Sequence, residues 1–297
     1  MSNNYFIASL ATVAMTGLAL SSQAQTSNYN MVMTLAEAPT QTNSSLANTT
    51  VETFNEYTPG YYTNQTTVIG TYSSLSILAA NQYGGAAGPG FATGSPYNVA
   101  SASSSLSGIH TVPTYTLTFN NPIAYFGIWW SAGDPANYLT FYNGNTQVAA
   151  FSTQTLVNKL VNKSYFGNPT PGHLGQDGNE RFAFINFFGV DNTVFTSVVF
   201  SNPGGSGFEN DNNTIRTSAY GTDPQDDPSG KLPGVPIEEV LNVNGVQTIL
   251  TDTNSIAANA NVNLSVTLVP EPGTNTLFAL AGVAGLALIA RRRSVKA

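Results

Sequence analysis

The run TYTLTFNNPIAYFGIWW, residues 114–130, decides the fold. Its first six residues put Tyr115, Leu117 and Phe119 on one side of an extended chain and three threonines on the other, the period of two expected of a half-buried strand. Asn120-Asn121-Pro122 reads as a turn. Residues 123–130 are apolar on both faces, which places them in the middle of a sheet that is covered on both sides.

The flanking sequence extends the pattern. Residues 138–142 and 146–151 bracket Asn143-Gly144, whose two residues tolerate positive φ and so predict a hairpin. Asn244-Gly245 predicts a second one between 240–243 and 246–250. Further strands are expected at 181–188, 194–200 and 262–268, and at 50–57, where Val51 and Thr53 oppose Glu52 and Phe54. The apolar patch 31–35 reads as a first or edge strand. Between these lie a Gly-, Ala- and Ser-rich stretch at 84–107, read as a loop with one short strand, and a polar, turn-rich segment at 158–180. The acidic, proline-rich run TDPQDDPSGKLPGVP at 222–236 reads as a surface loop. Many short strands without a convincing amphipathic helix predict an all-β chain, an antiparallel β-sandwich of jelly-roll type over 50–268, with a polar segment at 25–49 before it.

Composition narrows the partners. Residues 25–269 hold fifteen acidic and five basic residues, an excess of ten negative charges, which argues against nucleic acid. With no cysteine, the domain is held by packing and hydrogen bonds, without disulfides or a cysteine-zinc site.

Both termini read as addresses. Residues 6–20 are apolar and are followed by Ser21-Ser22-Gln23-Ala24, with small residues three and one before a cleavage point after Ala24; this predicts a signal peptide at 1–24, the alternative being an uncleaved anchor. Its first residues, MSNNY, carry no Lys or Arg, so only the terminal amine supplies positive charge. At the other end Pro270-Glu271-Pro272 cannot continue a strand or enter a helix interior. A short apolar helix is expected at about 274–290, roughly 26 Å long at about 1.5 Å per residue, against a bilayer core of about 30 Å. Arg291, Arg292 and Arg293 follow as a basic stop that stays cytoplasmic and leaves the preceding chain outside. The alternative is a buried core helix, which would not end abruptly in three arginines.

Motif, helix and basic tail, in that order over 269–297, resemble the PEP-CTERM sorting signal of exported bacterial proteins. The resemblance implies recognition by an exosortase, a membrane protease-transpeptidase that releases or transfers its substrate. It also implies transient anchoring in the inner membrane with the ectodomain outside, then a cell-surface or extracellular location. The segments YFGIWWSAGDPANYLTFYNG (125–144) and GFENDN (207–212) are similar to stretches of exosortase-dependent surface proteins of unassigned function.

Chemistry in the ectodomain is sparse. Gly204-Gly205-Ser206-Gly207 continues into Phe208 and is no G-x-S-x-G nucleophile elbow, and His110 and His173 read as solvated loop histidines. No catalytic residue is assigned. Glu52, Asp134, Glu209 and Asp211 are the carboxylates from which a converging glycosidase pair could be drawn. Hard oxygen donors at Glu209, Asp211 and Asn212, joined by Asp134 or Glu52, are the candidate calcium site; no other cofactor is implied. Asp223, Asp226 and Asp227 lack the glycine and the closing glutamate of an EF-hand and read as a solvated acidic loop. Trp129 and Trp130 point to opposite faces and are candidate ligand-binding rings, unless both are buried. The expectation is a noncatalytic surface or matrix protein that binds exopolysaccharide; the alternative is a secreted polysaccharide hydrolase.

Overall fold

The computed structural model describes residues 30–36, 38–160, 163–190, 192–204, 206–236, 240–243 and 246–249. The expected signal peptide, the strand at 262–268 and the tail at 269–297 lie outside the described residues. Seventeen strands are described: β1 (Asn30–Leu35), β2 (Thr50–Glu52), β3 (Gly60–Thr66), β4 (Gly70–Leu78), β5 (Tyr97–Ala100), β6 (Ser105–Leu106), β7 (Ile109–His110), β8 (Thr114–Ile123), β9 (Tyr125–Gly133), β10 (Tyr138–Asn143), β11 (Thr146–Ser152), β12 (Arg181–Val190), β13 (Phe195–Ser201), β14 (Phe208–Arg216), β15 (Val235–Pro236), β16 (Val240–Val243) and β17 (Val246–Ile249). The α-helix α1 (Thr153–Lys159), about two turns long and N-capped by Ser152, seats Leu156 in the core. Among the described residues no helix is long and apolar enough to cross a membrane.

Thirteen strands form one sheet in the order β11-β10-β13-β8-β4-β5-β14-β9-β12-β1-β15, with β2 beside β14 and β3 beside β4. The pairings are antiparallel, as expected. Discrete sheets were expected, but this one is continuous and nearly closed. The joint is β4, which pairs with β8 through Gly70–Tyr72 and, further along, with β5 through Ile77–Leu78. Gly70 permits that junction, since a Cβ there would overlap the Thr118 carbonyl. Phe126 of β9 packs against Phe119 of β8, Phe141 of β10 and Phe200 of β13, so strands distant along the path share one core. Each such ring contributes roughly 1.5–3 kcal/mol by leaving water.

The stretch 114–130 behaves largely as read. Tyr115, Leu117 and Phe119 are buried while the threonines beside them are not, and all nine residues of β9 are buried between β12 and β14. Asn120-Asn121-Pro122 is no turn. Strand β8 runs through it, and the pairing with β13 absorbs the excess: five steps from Thr118 to Ile123 face two from Ser197 to Phe195. These three residues bulge outward and are exposed.

The first hairpin forms one residue later than expected. Asn143 pairs with Thr146, so Gly144 and Asn145 make the turn, and Gly144 alone takes positive φ, +59°. The second hairpin pairs Val240 with Ile249 and Val243 with Val246. Strand β2 stops at Glu52 rather than reaching residue 57, because Phe54 turns to φ +55° and its N–H is taken by Glu52 Oε1 at 2.9 Å. Strands β3 and β4 occupy a stretch to which the sequence reading assigns no element.

Candidate functional site

The central surprise is β14. Its sequence, FENDNNTIR, is polar through its centre, yet all nine residues are buried. A burial this polar stands only if each side chain finds partners. On the core face Asn210 Nδ2 donates to Tyr115 Oη at 2.8 Å and Asn213 Nδ2 to Tyr72 Oη at 2.9 Å. Those two asparagines are three apart and share a face because of a bulge: Asp211 pairs with Trp129 and Thr214 with Gly127, and Asn212 sits at φ +50° between them. Burial, the dominant cause, pushes the hydroxyls of Tyr72 and Tyr115 well above their usual range, so both stay protonated.

On the other face Asp211 is fully buried and spent on internal donors. Its Oδ2 accepts from Ala86 N–H at 2.9 Å and Ser95 Oγ–H at 2.7 Å, and its Oδ1 accepts from Asn212 N–H at 2.7 Å. Asn212 Nδ2 donates to the Thr42 carbonyl at 2.8 Å. Burial raises the Asp211 carboxyl to about 7 against these three donors. Asp211 therefore staples the 86–95 loop onto β14. Glu52 sits further along, where β2 pairs with Asn213, and burial raises it to about 7. Glu209, Asp211 and Asn212 thus do not converge as one ligand set, and among the described residues no three acidic, His or Cys side chains group to hold a metal.

Glu209 faces elsewhere, into a cavity of about 360 Å³ at the mouth of β4, β5, β9 and β14. The wall carries four carboxyl residues, Asp134, Asp177, Glu180 and Glu209, together with Asn81, Tyr83, Tyr97 and the apolar Leu78, Leu106 and Ala132. Tyr83 is 44% exposed, whereas Tyr97 is buried and its hydroxyl donates to Asn81 Oδ1 at 3.0 Å. The turn leading into Glu209 is pinned on both sides: Ser101 Oγ donates to the Ser206 carbonyl at 3.0 Å and Asn202 Nδ2 to the Gly207 carbonyl at 2.8 Å. The Glu209 carboxyl folds back against Gly207, so a Cβ at 207 would displace it from this position. Glu209 is 7% exposed, and burial, reinforced by Asp134, Asp177 and Glu180, raises its carboxyl to about 8 against the hydrogen bond from its own N–H. Asp177 and Glu180 are raised as well, first by burial. Three residues of the wall, Ser107, Ala132 and Asp177, hold positive φ without being glycine, a strain that gathers at working sites.

Of the carboxylates singled out from sequence, the fold brings Glu209 and Asp134 together and leaves Glu52 and Asp211 apart; Asp177 and Glu180 were missed. Both lie in the turn-rich stretch before β12, where local pattern carries no sign of what they approach. Trp129 and Trp130 are 1% and 0% exposed, so neither offers a ring to a ligand at the surface. Trp130 belongs to the main core, and Trp129 packs on the opposite face with Phe182, Phe184 and Ala132. His110 is exposed, with its ring edge-on to Tyr61 at 4.5 Å, and the half-buried His173 lies beside Gln176. A second cavity of about 270 Å³ lies beside Tyr220, Asp226 and Lys231 in the 217–234 loop.

No curated protein and no solved structure matches the chain. A family model described as the PEP-CTERM protein-sorting motif matches residues 268–294, the stretch of Pro270-Glu271-Pro272, the apolar run and Arg291, Arg292 and Arg293. The chain carries a PEP-CTERM protein-sorting motif, which supports export along an exosortase-dependent route.

Proposed function

We propose that this is a surface or extracellular-matrix protein, anchored in transit by the apolar run at 274–290 and processed by an exosortase, whose β domain is a noncatalytic carbohydrate binder. The cavity carries the reading. A glycan presents hydroxyls and apolar C–H faces together, and this wall offers carboxyl and amide groups beside Tyr83, Tyr97 and three aliphatic side chains. Its volume falls at the small end of ligand pockets, roughly 300–1,000 Å³, which suits one or two sugar units at a chain end or branch. An array of bacterial exopolysaccharide fragments probed with the full-length protein tests it. Retention of a defined set, lost in Asn81→Ala and Tyr83→Ala, is the expected result; retention of none would remove the carbohydrate role.

A second reading, a polysaccharide hydrolase, has one observation in its favour. Glu209 is held protonated near neutral pH beside three other carboxyl residues, which is what a general acid and its partner require. Release of new reducing ends from a bound polysaccharide, abolished in Glu209→Gln, would establish it.

A further inference from the structure

We infer that the cavity takes a sugar unit bearing a protonated amine, as in a deacetylated amino sugar. This rests on the carbohydrate reading above and adds the charge of the ligand. The wall has carboxyl groups from three separate places in the chain, Asp134 after β9, Asp177 and Glu180 before β12, and Glu209 on β14, and no Lys, Arg or His among its residues. The basic residue next in sequence, Arg181, is engaged elsewhere: its Nη2 donates to the Val157 carbonyl at 3.0 Å and its guanidinium lies over Phe166. Its charge still acts on Glu180, but one basic group outside the wall stands against four carboxyl residues within it, so a negatively charged sugar would meet net repulsion here.

An independent observation points to a missing partner. Glu209 is more than nine-tenths buried, lines the cavity, and receives a hydrogen bond from its own N–H and from no other described residue. A carboxyl has about four acceptor positions, so most of its capacity is unspent. Asp177 Oδ2 is likewise buried without a hydrogen-bond partner. An ammonium group has three donors and no acceptor, which suits a wall rich in carboxyl groups, whereas a neutral hydroxyl has a single donor and no charge to offer them.

Binding of a cation favours ionised Glu209, so the group should release its proton as the amine arrives. Asp134, Asp177, Glu180, Tyr83 and the protonated Tyr97 are the titratable groups that share the cavity with it. Affinity therefore rises as pH climbs toward 8, until the amine itself loses its proton.

Calorimetric titration of the full-length protein with a glucosamine disaccharide and with its N-acetylated counterpart tests this, each in two buffers of different ionisation enthalpy. The expected result is at least tenfold tighter binding of the free amine, proton release on binding, and a tenfold or greater loss in Glu209→Gln and in Asp177→Asn, with thermal melts confirming that both variants fold. Equal affinity for both disaccharides would overturn the amine inference and leave the carbohydrate reading standing. Binding of a lysine-rich peptide with no binding of either sugar would overturn both.

Discussion

Arg216 and Asp226 meet as a fork inside the protein: Nη1 lies 2.7 Å from Oδ1 and Nη2 2.8 Å from Oδ2, with both side chains almost wholly buried. Asp226 comes from the acidic stretch that the sequence reading places on the surface. Arg216 closes β14 and also donates to the carbonyls of Ser218 and Ala219. The pair thereby ties the 217–234 loop to the end of the central strand.

Asp226→Asn should cost about 3–5 kcal/mol, because it leaves the guanidinium buried without its counter-charge. Burial opposes ionisation of Asp226, but Arg216 and the N–H of Gly221 overcome it and hold the carboxyl below its usual range. Stability from this pair is therefore present above the unfolded value near 4 and is lost as pH falls through the lower folded value. Chemical denaturation of the wild type and the variant at pH 7 and pH 3 checks both statements: the gap between them should narrow at the lower pH.

Three other carboxyls act in the opposite direction. Glu209 is raised to about 8, Asp211 and Glu52 to about 7, each chiefly by burial. A carboxyl whose folded pKa exceeds its unfolded one binds more protons folded than unfolded, so stability falls as pH rises from about 4.5 to 8. The protein should melt higher at pH 5 than at pH 8. Glu209→Gln, which keeps the shape and removes the titration, should flatten that slope, and an unchanged slope would show that Glu209 ionises normally.

Gly144→Val places a β-branched side chain at φ +59° in the β10–β11 turn, where the backbone and not space is the constraint, since nothing lies within 4 Å of the new Cβ. The expected loss is about 1–3 kcal/mol. Gly144→Asn, which tolerates this region better, should recover most of it; equal losses in the two variants would mean that the turn conformation is not what the glycine secures.

How far the sequence could be read follows the reach of each signal. Alternation along 114–119 and the apolar run 123–130 are local, and they locate β8 and β9 because a strand's two faces are written every second residue. The burial of β14 was illegible for the opposite reason. Asn210 and Asn213 are buried because Tyr115 and Tyr72, 95 and 141 residues away in the chain, bring hydroxyls to them. Nothing within FENDNN announces those partners, and the bulge at Asn212 breaks the parity that would betray the faces. The cavity is of the same kind: Glu209 and Asp134 were noticed as acids, but their meeting with Asp177 and Glu180 depends on the pairing of β9 with both β12 and β14. The tail was legible because its signal is a linear order of motif, apolar run and charge, which local sequence displays in full.

That order makes the last prediction separable into parts. Replacing Pro270, Glu271 and Pro272 by alanine touches neither the apolar run nor the basic stop, so export and insertion should proceed while processing fails, and uncleaved protein should collect in the membrane. Replacing Arg291, Arg292 and Arg293 should do the reverse, loosening orientation and retention. The seven large apolar residues of the run would contribute only about −2 to −4 kcal/mol toward insertion, so the basic stop should be needed to keep an inserted tail in place. Mass spectrometry of the C-terminus of surface-exposed protein, from a host that has an exosortase, decides the matter. A terminus upstream of the apolar run is expected, and a chain still ending at Ala297 would mean that the tail anchors the protein and is not processed.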